Sequence, residues 1–488
     1  MSQRIVIDPV TRLEGHGRID ILLDDAGAVE AAYFTVPEFR GFEKFCEGRQ
    51  VEQMPTLTQK ICGVCPMAHH MAATKALDAV YDVAPPVAAH KIRELAYCAF
   101  MAEDHLLHFY VLGGPDFIVG PDAPKAERNV LGVIGKAGLE TGRAVIAMRK
   151  KLRTLVGAIT GSSLSPVFGL PGGISKPLSK ADVEMAKVVG REAVAFAQFS
   201  LKLFDDIVLS NQAYVDLIKG DTYHLRTHYM GMVDGEGRVN FYDGKLRIVD
   251  PDGKPFTDFE GKDYASVLAE TGLSYSYAKM LFLKAIGFKG LVDGPQSGIY
   301  RVAPLARLNA AVGMATPRAQ AEYERMYATL GGKPVHHTLA YHWARLIEVL
   351  YACERVVELA DDPDILDPSV RTFPTAKPTE GVGVCEAPRG TLIHHYHTDG
   401  DGIVTKVNLL VATQNNAAAI NLSITKAAQS LIQKGVAITD GLLNKIEMAF
   451  RAYDPCFACT THSLPGEMPL IARLIGPDGK VREELRRD

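Results

Sequence analysis

Two Cys-x-x-Cys pairs stand at opposite ends of this chain, Cys62-Gly63-Val64-Cys65 and Cys456-Phe457-Ala458-Cys459. Thiolates are soft ligands that select zinc, iron, nickel or copper. A zinc ribbon keeps its two pairs within about 15–20 residues of each other, whereas here nearly the whole chain lies between them. A site built from both pairs therefore forms only when the two ends of the fold meet. Of the eight cysteines, Cys46, Cys98, Cys353 and Cys385 are scattered. Paired cysteines in a reducing compartment serve metals or redox chemistry more often than disulfides, so the spacing leaves two functions open. One is a catalytic metal centre; the other is a structural zinc site that ties the ends together.

The remaining composition narrows the setting. The chain has 488 residues, 47% hydrophobic and 23% charged, enough for a large core and for two or three domains by length alone. A net charge of −4 without a dense Lys/Arg run argues against nucleic-acid binding. Apolar runs are too short to span a bilayer, and no signal-peptide core follows Met1. We expect a soluble, cytoplasmic protein.

Periodicity predicts an α+β fold, predominantly α. Alternation over 4–36 with the turn Asp24-Asp25-Ala26-Gly27 predicts a strand pair, and Phe39–Phe45 is expected to open a short helix. A helix is expected at about 66–82, and longer helical patterns at about 87–112, 124–156 and 178–216 predict a central bundle of helices some 25 to 40 residues long with small peripheral sheets. Turn-rich short strands are expected over 222–262. Further helices are expected at about 263–285, 305–330, 337–361 and 437–450. Residues 386–411 read as a hairpin, and Val411–Asn416 as its polar end.

Several residues invite chemistry singly but have plain readings too. Glu14 and Glu43 suit solvated surface positions. His69, four residues after Cys65, can share its helix face. His105 and His108 sit at i and i+3 but among core residues. His336, His337 and His342 suit packing. Alternation puts His394, His395 and His397 on both faces of a strand, which weakens a three-histidine site. Arg389, held between Pro388 and Gly390, suits a salt bridge.

In order, however, the motifs Glu14-Gly-His-Gly-Arg18, Arg40-Gly-Phe-Glu43, Ile61-Cys-Gly-Val-Cys65, Asp104-His-Leu-Leu-His-Phe-Tyr110, Ala387-Pro-Arg-Gly390 and Asp454-Pro-Cys-Phe-Ala-Cys-Thr-Thr-His462 resemble the large subunit of nickel–iron hydrogenases. The likeness runs from residue 8 to 462 and is greatest to the soluble cytoplasmic group that serves NAD, a deazaflavin or a ferredoxin/heterodisulfide system. The related subunit of respiratory NADH:quinone oxidoreductase lacks the cysteines that are all present here.

The resemblance implies roles. Cys62 and Cys456 match terminal nickel ligands; Cys65 and Cys459 match the bridges to an iron carrying carbon monoxide and cyanide. Arg389 and Thr413 match donors to the cyanides, Asp104 and Asp454 the carboxylates holding Arg389, and His69 a donor to a bridging sulfur. Glu14 matches a proton relay from Cys456. Glu43, His462 and the carbonyl of Leu409 match a magnesium site. The implied reaction is reversible heterolysis of dihydrogen. Its electrons leave through iron–sulfur clusters held by a partner small subunit, then pass to flavin or iron–sulfur subunits. Metallochaperones and a maturation endopeptidase are implied as well. Residues 1–462 would form one catalytic domain, and 463–488 an extension removed after nickel insertion. Ala412-Thr413-Gln414-Asn415-Asn416 departs from the family's Pro-(Ser/Thr)-Thr-Trp-Asn, and Glu103 stands where relatives often carry His.

Overall fold

A computed structural model describes residues 3–463, 470–476 and 480–487. Four long helices, Val87–Leu107, Leu139–Thr160, Lys180–Phe204 and Tyr341–Asp361, pack on one another. They span 21, 22, 25 and 21 residues, shorter than periodicity predicts. Interruptions explain the difference. The pattern at 124–156 is cut at Gly138 (φ 92°) into Val130–Ala137 and Leu139–Thr160. The pattern at 178–216 passes through a π-helical segment, Asp205–Leu209, and restarts at Gln212 under an Asn211 cap. Helix 87–107 likewise runs into a π-helical segment, His108–Gly113. Residues 305–330 break into Pro304–Ala310 and Pro317–Leu330, where proline opens the second helix.

The strands form small sheets around these helices. Gln3–Ile7, Arg18–Leu23 and Val29–Thr35 make an antiparallel three-stranded sheet, one strand more than the expected pair. His228–Val233, Lys245–Val249 and Pro255–Phe259 form a meander, with Tyr300–Arg301 added in parallel.

Residues 263–285 are not the expected helix. They form a hairpin, Leu268–Leu273 with Ser276–Leu283. Inward Ser276, Ala278 and Met280 alternate with half-exposed Tyr277 and Lys279, so period two wins over the helical pattern.

The expected 386–411 hairpin is present as Gly390–Thr398 and Val404–Leu410, and a third strand, Glu380–Ala387, precedes it. This sheet lies directly on helix Pro66–Val80. Two glycines permit the approach: a Cβ on Gly381 would sit 2.3 Å from Val80 N, and one on Gly383 would sit 2.1 Å from Ala72 O. Val411–Asn416, expected as the polar end of the hairpin, instead opens a helix, Ala412–Leu431. That helix packs against Val29–Thr35, the 268–283 hairpin and helix Asp440–Arg451. The N-terminus of helix 66–80 and the short C-terminal helix Phe457–Thr460 thus come together in the interior.

Candidate metal centre

Pro66 opens the helix after Cys65, which sits at its N-cap, so Cys62 and Cys65 occupy the tight turn leading into it. Cys456 holds the same position before Phe457–Thr460. Backbone pairing fixes this second turn: Glu14 N donates to Pro455 O (3.3 Å) and Phe457 N to Glu14 O (2.9 Å). Downstream, Arg40 N donates to Thr461 O and Glu43 N to His462 O. The Arg40 guanidinium reaches both Ile61 O and Ala458 O, bonding the two cysteine turns to one group. The resemblance singled out the motif containing Arg40, yet only the fold reveals this clamp.

All four sulfurs lie within 4.8 Å of one another and are buried. Cys62 Sγ is 3.3 Å from Cys456 Sγ, Cys65 Sγ 3.6 Å from Cys459 Sγ, and Cys456 Sγ 2.8 Å from Cys459 Sγ. Hydrogen bonds from the neighbouring thiols hold Cys62 well below the usual thiol range. Burial pushes Cys456 and Cys459 well above it. One thiolate is therefore favoured and further ones are opposed, a conflict that a multiply charged soft cation resolves.

The surroundings fit such a group. Arg389 sits beside the sulfurs between Asp104 (3.1 Å) and Asp454 (3.2 Å), all buried. Burial works against the Arg389 charge, but the two carboxylates outweigh it and raise its pKa well above the ordinary value. Burial lifts Asp104 to about 7 and raises Asp454. Asp454 reaches Arg389 from left-handed backbone at φ 57°. Arg389 Nε and Asp454 Oδ2 are buried with no hydrogen-bond partner among the described residues. Orphaned polar atoms of this kind cost about 1–3 kcal/mol each and mark a place for an absent polar ligand.

Glu14 Oε2 accepts from Cys456 Sγ (2.9 Å) and from Ala458 N (3.2 Å), and burial raises its pKa. His69 Nε2 lies 3.5 Å from Cys459 Sγ. Its Nδ1 faces His394 Nε2 at 3.1 Å, and His394 Nδ1 faces Tyr396 OH at 2.6 Å. With Tyr396 donating, each ring accepts on one nitrogen and donates from the other, so the chain ends in an N–H aimed at Cys459. Sequence reasoning missed His394 and Tyr396. The alternation that separated the three histidines is what sends His394 inward, and that was the available signal.

Thr413 Oγ1 accepts from Cys456 N (3.0 Å), leaving its own proton available to donate. Glu43, Leu409 and His462 also converge. Leu409 N donates to Glu43 Oε1 (2.8 Å), and His462 Nε2 lies 2.6 Å from Leu409 O and 3.7 Å from Glu43 Oε1. A carboxylate and a carbonyl suit a hard cation. By contrast, His105 pairs with Glu348 and His108 with Arg451 O in the core, as their apolar flanks predicted. Glu103 pairs with Arg149 and Arg153.

Four buried thiols, an arginine whose Nε lacks a partner and a carboxyl with a raised pKa together suit a soft transition metal. Residues 40–168 and 274–462 match the family described as nickel-dependent hydrogenase, and residues 4–39 one described as HoxL-like. A chain of the F420-non-reducing hydrogenase of Archaeoglobus profundus, named for its iron-sulfur subunit, is 45% identical over 99% of both chains. The beta chain of the NAD-reducing hydrogenase HoxS of Cupriavidus necator is 38% identical over 100% of both. A crystal structure of an NAD+-reducing [NiFe]-hydrogenase superposes with TM-score 0.88 at 37% identity, covering 94% of this chain and 99% of that one. The chain belongs to the nickel-dependent hydrogenase family. It is an oxidoreductase, a hydrogenase large subunit.

Proposed function

We propose that this chain is the catalytic subunit of a cytoplasmic nickel–iron hydrogenase that cleaves dihydrogen reversibly. Its electrons pass to a small subunit carrying iron–sulfur clusters. From there they reach a soluble acceptor such as NAD through flavin or iron–sulfur subunits. The convergence of four buried thiols from both chain ends with the Glu14 carboxyl on Cys456 carries this reading. The names of the NAD-reducing relatives support the acceptor. No helix among the described residues is long and apolar enough to cross a membrane.

Cys62 and Cys456 would hold nickel, and Cys65 and Cys459 would be shared with iron. When bound, the group supplies the site where dihydrogen is polarised and its electrons are taken up. The chain's own residues manage the rest. Arg389, steadied by Asp104 and Asp454, would donate to a cyanide of the bound group, and the Thr413 hydroxyl would donate to another. His69, with His394 and Tyr396 behind it, donates to Cys459 and tempers its charge. Cys456 Sγ passes a proton to Glu14 Oε2, which moves it outward. Glu43, Leu409 O and His462 would hold magnesium and lock the end of the mature chain, with 463–488 removed by an endopeptidase after metallochaperones deliver nickel.

One preparation tests this. Wild-type enzyme should contain nickel and a chain ending at His462 by intact mass. Cys456→Ser should lack nickel and dihydrogen oxidation and retain 463–488. A nickel-loaded, active Cys456→Ser enzyme would refute the ligand assignment.

A further inference from the structure

Strand Gly390–Thr398 turns His394 and Tyr396 inward and leaves His395 and His397 on the opposite face, both half-buried. Antiparallel pairing sets Glu380 directly across from His397. His395, two residues along on the same face, then also reaches this carboxylate. His395 Nε2 lies 2.7 Å from Glu380 Oε1, and His397 Nδ1 lies 3.6 Å from Glu380 Oε2. The two imidazole rings are 4.3 Å apart, and one ligand atom from each of the three residues falls within 4.8 Å of the others.

We propose that Glu380, His395 and His397 form a second metal site, for a divalent ion of the zinc, cobalt or nickel class, on the outer face of this sheet and apart from the four-cysteine centre. Two imidazoles and a carboxylate form a donor set that these ions accept. Tetrahedral zinc with bonds of roughly 2.0–2.2 Å holds its N and O ligands about 3.3 Å apart, between the two distances to Glu380. The Glu380 side chain is 58% exposed, so it can make the small adjustment required.

A surface ion pair would use the same three residues, but it would not require the support behind His395. Its Nδ1 lies 2.9 Å from Tyr264 OH, and that oxygen also accepts from Asn408 Nδ2 at 2.7 Å. Without an ion Nε2–H donates to Glu380; a bound ion would displace that proton, and Nδ1–H would then donate to Tyr264 and hold the Nε2 lone pair on the site. This is the arrangement that fixes metal-ligating histidines elsewhere. Lys406, paired with His397 across the next strand, is a cation that opposes a bound ion.

Zinc titrated calorimetrically into the metal-loaded enzyme complex should fill one saturable site per chain. His395→Ala/His397→Ala should lose that site, Tyr264→Phe should weaken it about tenfold, and Lys406→Ala should tighten it. Dihydrogen oxidation in zinc-free buffer should match wild type in the double variant, which also shows that it folds. Equal zinc stoichiometry and affinity in wild type and the double variant would overturn the proposal.

Discussion

Four buried thiols in contact cannot all ionise without compensating charge, and the residues beside them show where protons can go. Glu14 is the carboxyl in contact with Cys456, and its pKa is raised because burial outweighs the bonds from Cys456 and Ala458. Glu14 accepts a proton only as carboxylate. Dihydrogen oxidation should therefore fall as pH drops through that raised value and recover above it. Glu14→Gln should retain nickel, lose this acid limb and slow hydrogen–deuterium exchange by about 10²–10⁴-fold. Wild-type exchange in Glu14→Gln would place the proton path elsewhere. At this scale the sequence was most informative where motif order was specific: the four cysteines, Glu14, Arg389 and its two aspartates all meet. Arg40, His394 and Tyr396 were not legible, because their partners lie in turns and strands that only the fold brings near.

Among the elements, the sheet on helix 66–80 sets the position of His69 relative to His394. Gly383 faces Ala72 O and Ala76 N at 2.1 and 2.2 Å from where a Cβ would be. Backbone on both counts leaves no rotamer to relieve the clash. Gly383→Ala should therefore lower stability by about 1–3 kcal/mol, read as a shift in the denaturant midpoint, and an unchanged midpoint would contradict this packing. Misread elements have physical causes too. Thr413–Asn416 reads as the polar end of a hairpin, yet all four residues are buried in a helix. Asn416 Oδ1 accepts from Val302 N, Asn415 Nδ2 donates to Thr391 O, and Asn421 bonds Phe34 N and Ala32 O. These amides replace backbone partners between elements, a use that composition cannot distinguish from solvation. The 268–283 hairpin was hidden for the opposite reason: a short apolar run fits either period until its neighbours choose one.

Across the whole molecule, the organising fact is that segments near both ends of the chain, residues 14–65 and 454–462, are bonded to each other in the interior. Glu14 pairs with Cys456, Arg40 spans Ile61 and Ala458, and Glu43 meets His462. Closing so large a loop is entropically costly, and a tetrathiolate centre that binds only the closed chain offsets it. Cys46, Cys98, Cys353 and Cys385 are buried and dispersed, which is why electron-carrying clusters are assigned to a partner. Whether the four thiols hold nickel and a cyanide- and carbon-monoxide-bearing iron is tested most directly by infrared spectroscopy of the purified enzyme, with metal content measured on the same sample. One nickel, with iron, per chain is expected, together with absorption bands from iron-bound carbon monoxide and cyanide. Zinc in place of nickel, with no such bands, would contradict this assignment.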